Sequence, residues 1–173
     1  MNWFLNIFLI IIAAIFQTTI MYFLSFKLGV ANLIFVIFIM IMFLRYFKLS
    51  LVWAILGGLI LDLMSPLPPG FFLIGFAIIY VILYLFFKPI ELEEFLGLLV
   101  VIFLSTIVFD LFTFGYFNLF SGKLPIKPFF NIIIFDSLFN VILCSIIYPF
   151  LNYLTKRLFR KKQKIISLVE MYK

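Results

Sequence analysis

Three aspartates stand inside long apolar runs of this 173-residue sequence: Asp62, Asp110 and Asp136. Two carboxylates that share a proton can activate a water for hydrolysis, and Phe109-Asp110 with Phe135-Asp136 supply such a pair of candidates. The rest of the catalytic repertoire is thin. The absence of histidine removes imidazole bases, imidazole metal ligands and Ser–His or Cys–His nucleophile pairs. The single cysteine, Cys144, excludes an internal disulfide and a multi-cysteine metal site. No phosphate-cradling glycine loop and no nucleic-acid-binding module is visible. No cofactor, metal or catalytic residue is therefore expected.

Whatever positions the acids must do so in lipid. Hydrophobic residues make up 67% of the chain and charged residues 12%, about half the charged share of ordinary soluble domains. Mean hydropathy is +1.34. A chain this short has too little interior to hide that much apolar surface from water. The uncharged run from the N-terminus reaches Phe26 with no basic stretch before it, so it reads as a first span rather than a cleaved signal peptide.

Charges and Pro/Gly breaks divide residues 1–155 into one transmembrane domain of about six helical spans: 3–26, 30–44, 49–64, 71–87, 95–120 and 129–154. A crossing takes about 20 residues. Spans 2 and 3 are short enough to lie obliquely or re-enter, which leaves five or four full crossings open. The proline-rich turn over residues 65–70 cannot continue a helix, and Gly70 permits a tight reversal. A basic tail, 156–173, holds seven of the 13 Lys and Arg residues. With six spans, Arg45, Lys48, Lys88 and the tail share one side, ten basic residues against the three of Lys27, Lys123 and Lys127. The positive-inside rule then puts both termini in the cytoplasm. The tail reads first as this orientation signal and second as a docking segment for a cytoplasmic partner.

Helices in lipid associate through small and polar residues. Ser50, Ala54, Gly58 and Asp62 recur every fourth residue, with Gly57 beside them. Asn6, Ala13, Ala14 and Gln17 mark span 1, Thr106, Asp110 and Thr113 span 5, and Asp136, Asn140, Cys144, Tyr148 and Asn152 span 6. These faces are predicted to pack inward, with Phe, Leu and Ile toward lipid. The 27 phenylalanines read as compositional. Counted from the cytoplasmic ends, all three acids fall roughly 20 Å deep, in one layer of the outer half. An acid near the bilayer centre costs about 2.5–3.5 kcal/mol on insertion scales. The acids are protonated, line a wet cavity, receive donors from a partner, or are satisfied locally near helix ends. Those alternatives stay open at this level.

The stretch Gly57-Gly58-Leu59-Ile60-Leu61-Asp62-Leu63, the short turn ending at Gly70 and the apolar run after it resemble the rod shape-determining protein MreD family. Gln17 late in span 1, Asp110 in span 5, Asn140 ahead of Tyr148-Pro149 in the last span, the basic tail and the length agree. The turn is Pro-rich where many members carry Gly and Ser. The resemblance covers essentially the whole chain. It implies a noncatalytic component of the bacterial inner membrane that supports peptidoglycan synthesis and cell shape. Its implied partners are MreC, the actin-like MreB, and RodA with a class B penicillin-binding protein. It also implies an architecture similar to the substrate-binding subunits of energy-coupling factor transporters. Gln17, Gly58, Asp62, Gly70, Asp110, Asp136 and Asn140 are the candidate partner-contact or polar-layer residues. Two other functions compete. One is an uptake subunit of the energy-coupling factor type, which lacks the long capping loops expected of it here. The other is an intramembrane aspartyl protease, whose Gly-x-Gly-Asp signature is absent.

Overall fold

The computed structural model describes residues 3–21, 30–87, 95–120 and 126–171. The predicted closure of span 1 at Lys27, the Lys88-Pro89 break, the polar loop 91–94 and the turn 121–123 lie outside them. Among the described residues every regular element is a helix, and only 30–32, 44–46 and 65–70 are turns or irregular. α1 (Trp3–Phe16) runs into one π-helical turn (Gln17–Met21) and is followed by α2 (Leu33–Phe43), α3 (Phe47–Met64), α4 (Phe71–Phe87), α5 (Phe95–Phe120) and α6 (Ile126–Met171). Among the described residues, three stretches are long and apolar enough to cross a membrane: Phe47–Met64, Phe95–Phe120 and Phe129–Tyr153.

The contacts between helices alternate in direction. Gln17 at the end of α1 meets Ile34 at the start of α2, and Asp62 near the end of α3 meets Phe72 at the start of α4. Phe114 of α5 lies against Phe129 of α6, and Phe95 against Tyr148. Successive helices therefore run up and down, with the start of α1 and the end of α6 at the same end of the bundle.

α2 departs most from the sequence expectation. The predicted span 30–44 is an 11-residue helix, about 16 Å long at 1.5 Å per residue. That is half the thickness of a bilayer core. It packs against all five other helices, and Leu33–Phe43 is buried apart from Ile37, which is partly exposed. A helix that is apolar on every side belongs in an interior, and a helix enclosed by others can be shorter than the membrane. Its start is set by Asn32, in extended conformation, whose side chain accepts from Phe35 N–H. Asn is among the best residues for this capping role. Its end is a Schellman closure: Tyr46 N–H donates to Ile41 C=O and Arg45 N–H to Met42 C=O. Arg45 takes the left-handed conformation, φ 67°, where glycine is usual. α3 starts at once, two residues before the predicted boundary at 49.

The small-residue stripe of α3 is buried: Ser50, Ala54, Gly57, Gly58 and Asp62. Ser50 Oγ donates to Phe38 C=O of α2 at 2.8 Å. Gly57 faces Ile34 so closely that a Cβ there would collide with its Cγ2.

One sequence expectation needs correction. Phe does not simply face lipid. Phe35, Phe38, Phe76 and Phe109 form a buried cluster with ring centroids 5.3–5.7 Å apart, and Phe71 extends it towards Tyr116 and Phe117. Large rings fill the space around α2 that small residues on the neighbouring helices open up. The apolar stretch Phe129–Tyr153 matches the sixth span read from the sequence, and the helix that carries it is longer than the span. α6 continues without a break through Pro149 to Met171, so residue 156 marks a change of composition and not of backbone.

Candidate functional site

The polar residues gather where two helices, α2 and α4, begin. An α-helix leaves its first four N–H groups without intrahelical partners, and in a membrane each must be satisfied inside the protein.

α4 supplies a full account. Phe71 N–H donates to Pro68 C=O, and Ile74 N–H to Gly70 C=O. Between them, Phe72 N–H donates to Asp62 Oδ1 at 2.8 Å and Leu73 N–H to Asp62 Oδ2 at 3.1 Å. Both carboxylate oxygens of Asp62 thus cap the helix that follows its own. Gly70, at φ 88°, makes the reversal. Gly58 stands one turn before Asp62, and a Cβ on it would lie 2.9 Å from Leu73 Cα. The approach of the two backbones depends on that missing atom.

The start of α2 is held by side chains of the π-helical turn and α6, with α5 behind them. Gln17 Oε1, at the start of the π-helical turn, accepts from Ile34 N–H at 3.1 Å. Asn140 Oδ1 accepts from Asn32 N–H at 2.7 Å, and Asp136 Oδ1 from Val30 N–H. Asn140 also donates to Thr106 Oγ1 at 3.1 Å, which donates onward to Ile102 C=O at 2.8 Å. Carboxylate and amide oxygens suit this position because the helix dipole is positive there.

Asp110 differs. It is 7% exposed and lies within electrostatic reach of Asp136, one turn beyond Thr106. Its Oδ2 has no hydrogen-bond partner among the described residues; Ser137 Oγ and Trp53 Nε1 share that condition. No group of three or more His, Cys, Asp or Glu side chains able to hold a metal occurs among the described residues.

The predicted residues thus fall into two groups. Gly58, Asp62 and Gly70 build the α3–α4 junction. Gln17, Asp136 and Asn140 surround the start of α2, with Asp110 beside them. Phe109 joins the groups, its ring 5.3 Å from Phe35 and 6.3 Å from Phe72, centroid to centroid. Sequence reasoning missed Asn32, although an Asn directly before an apolar run is a helix-start signal. It also missed Thr106 as a partner of Asn140.

Fold and site together define an all-helical bundle with helices fit to cross a membrane and two internal helix starts capped by side chains from other helices. Compared with family models, curated proteins and solved structures, the chain matches none.

Proposed function

We propose that this chain is a noncatalytic scaffold of the bacterial rod, or elongation, complex, of the kind its resemblance to the MreD family implies. Its helices lie in the inner membrane as about six spans, one of them, α2, shorter than the bilayer, with both termini in the cytoplasm. It supports peptidoglycan synthesis through contacts with MreC and the RodA–penicillin-binding protein machinery, with MreB on the cytoplasmic side. The observation that carries this reading is the use of the acids. Asp62 commits both oxygens to Phe72 and Leu73 N–H, and Asp136 commits one to Val30 N–H. Carboxylates engaged in holding backbone are poorly placed to share a proton and activate water. The Gly58–Asp62–Gly70 stretch on which the resemblance rests is also one mechanical unit, as expected of a scaffold that presents rigid surfaces.

Asp110 favours a second reading. A buried carboxylate oxygen lacking a partner suits a substrate-binding membrane subunit of the energy-coupling factor type. Purification from mild detergent, with mass spectrometry of proteins and small molecules, separates the two. Recovery of MreC or the synthase pair without a ligand supports the scaffold. A vitamin-like molecule recovered with an ATPase module overturns it.

A further inference from the structure

The bundle's ends are marked by ring contacts. Phe95, the first residue of α5, lies 4.9 Å from Tyr148 of α6, centroid to centroid. α6 then continues as unbroken helix to Met171, a rise of about 35 Å at 1.5 Å per residue. The last helix therefore runs well past the start of its neighbour, and most of this overhang carries the basic composition.

The overhang has a second period in its sequence. Over residues 154–171, Leu154, Leu158, Lys161, Ile165 and Leu168 follow a 4-3 spacing, the a and d positions of a coiled-coil heptad, while Leu151, one step earlier, packs on the bundle core. On a helix these positions form one narrow stripe. The flanking e and g positions hold Arg157, Lys162 and Lys164, and the only acid, Glu170, falls at f, away from the stripe.

We propose that this overhang is one strand of a two-stranded coiled coil, and that its partner is an acidic amphipathic helix of another protein. The charges choose the occupant. In a parallel pair of copies of this chain, g-position Arg157 would face e-position Lys162 of the second copy, a like-charge contact that disfavours pairing. A partner with Asp or Glu at e and g meets opposite charge at each of these positions. An anionic membrane surface is the weaker fit, because helices that bind it lie flat in the interface and this one continues a membrane-crossing segment. Lys161 in the apolar stripe fits a device that fixes register. The inference rests on α6 alone and stands apart from the scaffold reading.

The test uses the full-length protein in nanodiscs of zwitterionic lipid. Two labelled peptides of three heptads serve as probes, both with Leu at a and d, one with Glu and one with Lys at e and g. The acidic peptide is expected to bind at least tenfold more tightly than the basic one. Ile165→Asp should weaken it at least tenfold, and the triple variant R157E/K162E/K164E should reverse the preference. Protection of the Cys144 thiol reports that the bundle stays folded in each variant. Equal binding of both peptides, or of neither, overturns the proposal. So does a dimer of the protein that Ile165→Asp dissociates, which assigns the stripe to a second copy. A spin label at residue 165 that inserts into the headgroups of anionic vesicles overturns it in favour of the membrane surface.

Discussion

Asp62 accepts two amide hydrogens that have no other partner, so its loss should be felt in stability before function. Leaving buried N–H groups unsatisfied costs about 1–3 kcal/mol. Asp62→Ala strands two such groups and should destabilise the bundle by about 2–6 kcal/mol, Asp62→Asn by less because one acceptor remains. Unfolding in mixed micelles measures the first quantity, and hydrogen exchange at Phe72 and Leu73 locates it. Unchanged exchange at both amides would remove the capping role. Asp110 gives the opposite expectation. Its Oδ2 has no hydrogen-bond partner among the described residues, and an apolar replacement of a buried polar group can be neutral or stabilising. Asp110→Leu should therefore accumulate and melt no lower than the wild type. If that variant also loses rod shape, the carboxylate acts on something outside the bundle; normal shape assigns Asp110 no role in the complex. Gln17, Asp62, Asp136 and Asn140 could be singled out in the sequence because polar residues in apolar runs are expensive. Their partners could not. They are backbone amides at the start of α2 and α4 or just ahead of α2, and their position depends on where those helices begin.

At the scale of elements, α2 concentrates the argument. Periodicity gave an apolar run but not its length, since a buried helix and a short span look alike without an amphipathic face. The decisive signals were local: Asn32 at one end and the Arg45 reversal at the other. The α3–α4 junction was easier to read, because proline and glycine act on the backbone through sterics that do not depend on the fold. Since α2 touches every other helix, truncating it should unfold the whole. Phe38 is fully buried and packs on Phe35 and Phe76, so Phe38→Ala should cost about 3–5 kcal/mol. Arg45→Gly tests the other end. Relief of the left-handed penalty for a non-glycine residue should stabilise the bundle by about 1 kcal/mol. A loss of stability instead would mean that the Arg45 side chain contributes more than its backbone conformation costs.

For the whole molecule, one native residue reports on assembly. Cys144 is the only thiol, is fully buried, and lies on the α6 face one turn beyond Asn140. A maleimide can reach it only when α6 separates from its neighbours. In the folded bundle its labelling should be slow and should follow the population of opened molecules. Destabilising variants then become a graded series, because each 1.4 kcal/mol is a factor of ten in that population. Phe38→Ala should speed labelling by more than about 100-fold, Asp62→Ala by roughly 25-fold or more, and Asp110→Leu not at all. The ordering matters more than any single rate. If α2 is the keystone of one cooperative unit, changes in the α2 core and at the distant α3–α4 junction must both reach Cys144 on α6. Acceleration by Phe38→Ala with none from an equally destabilising Asp62→Ala would show instead that α3 and α4 open as a separate unit, leaving α2 and α6 together.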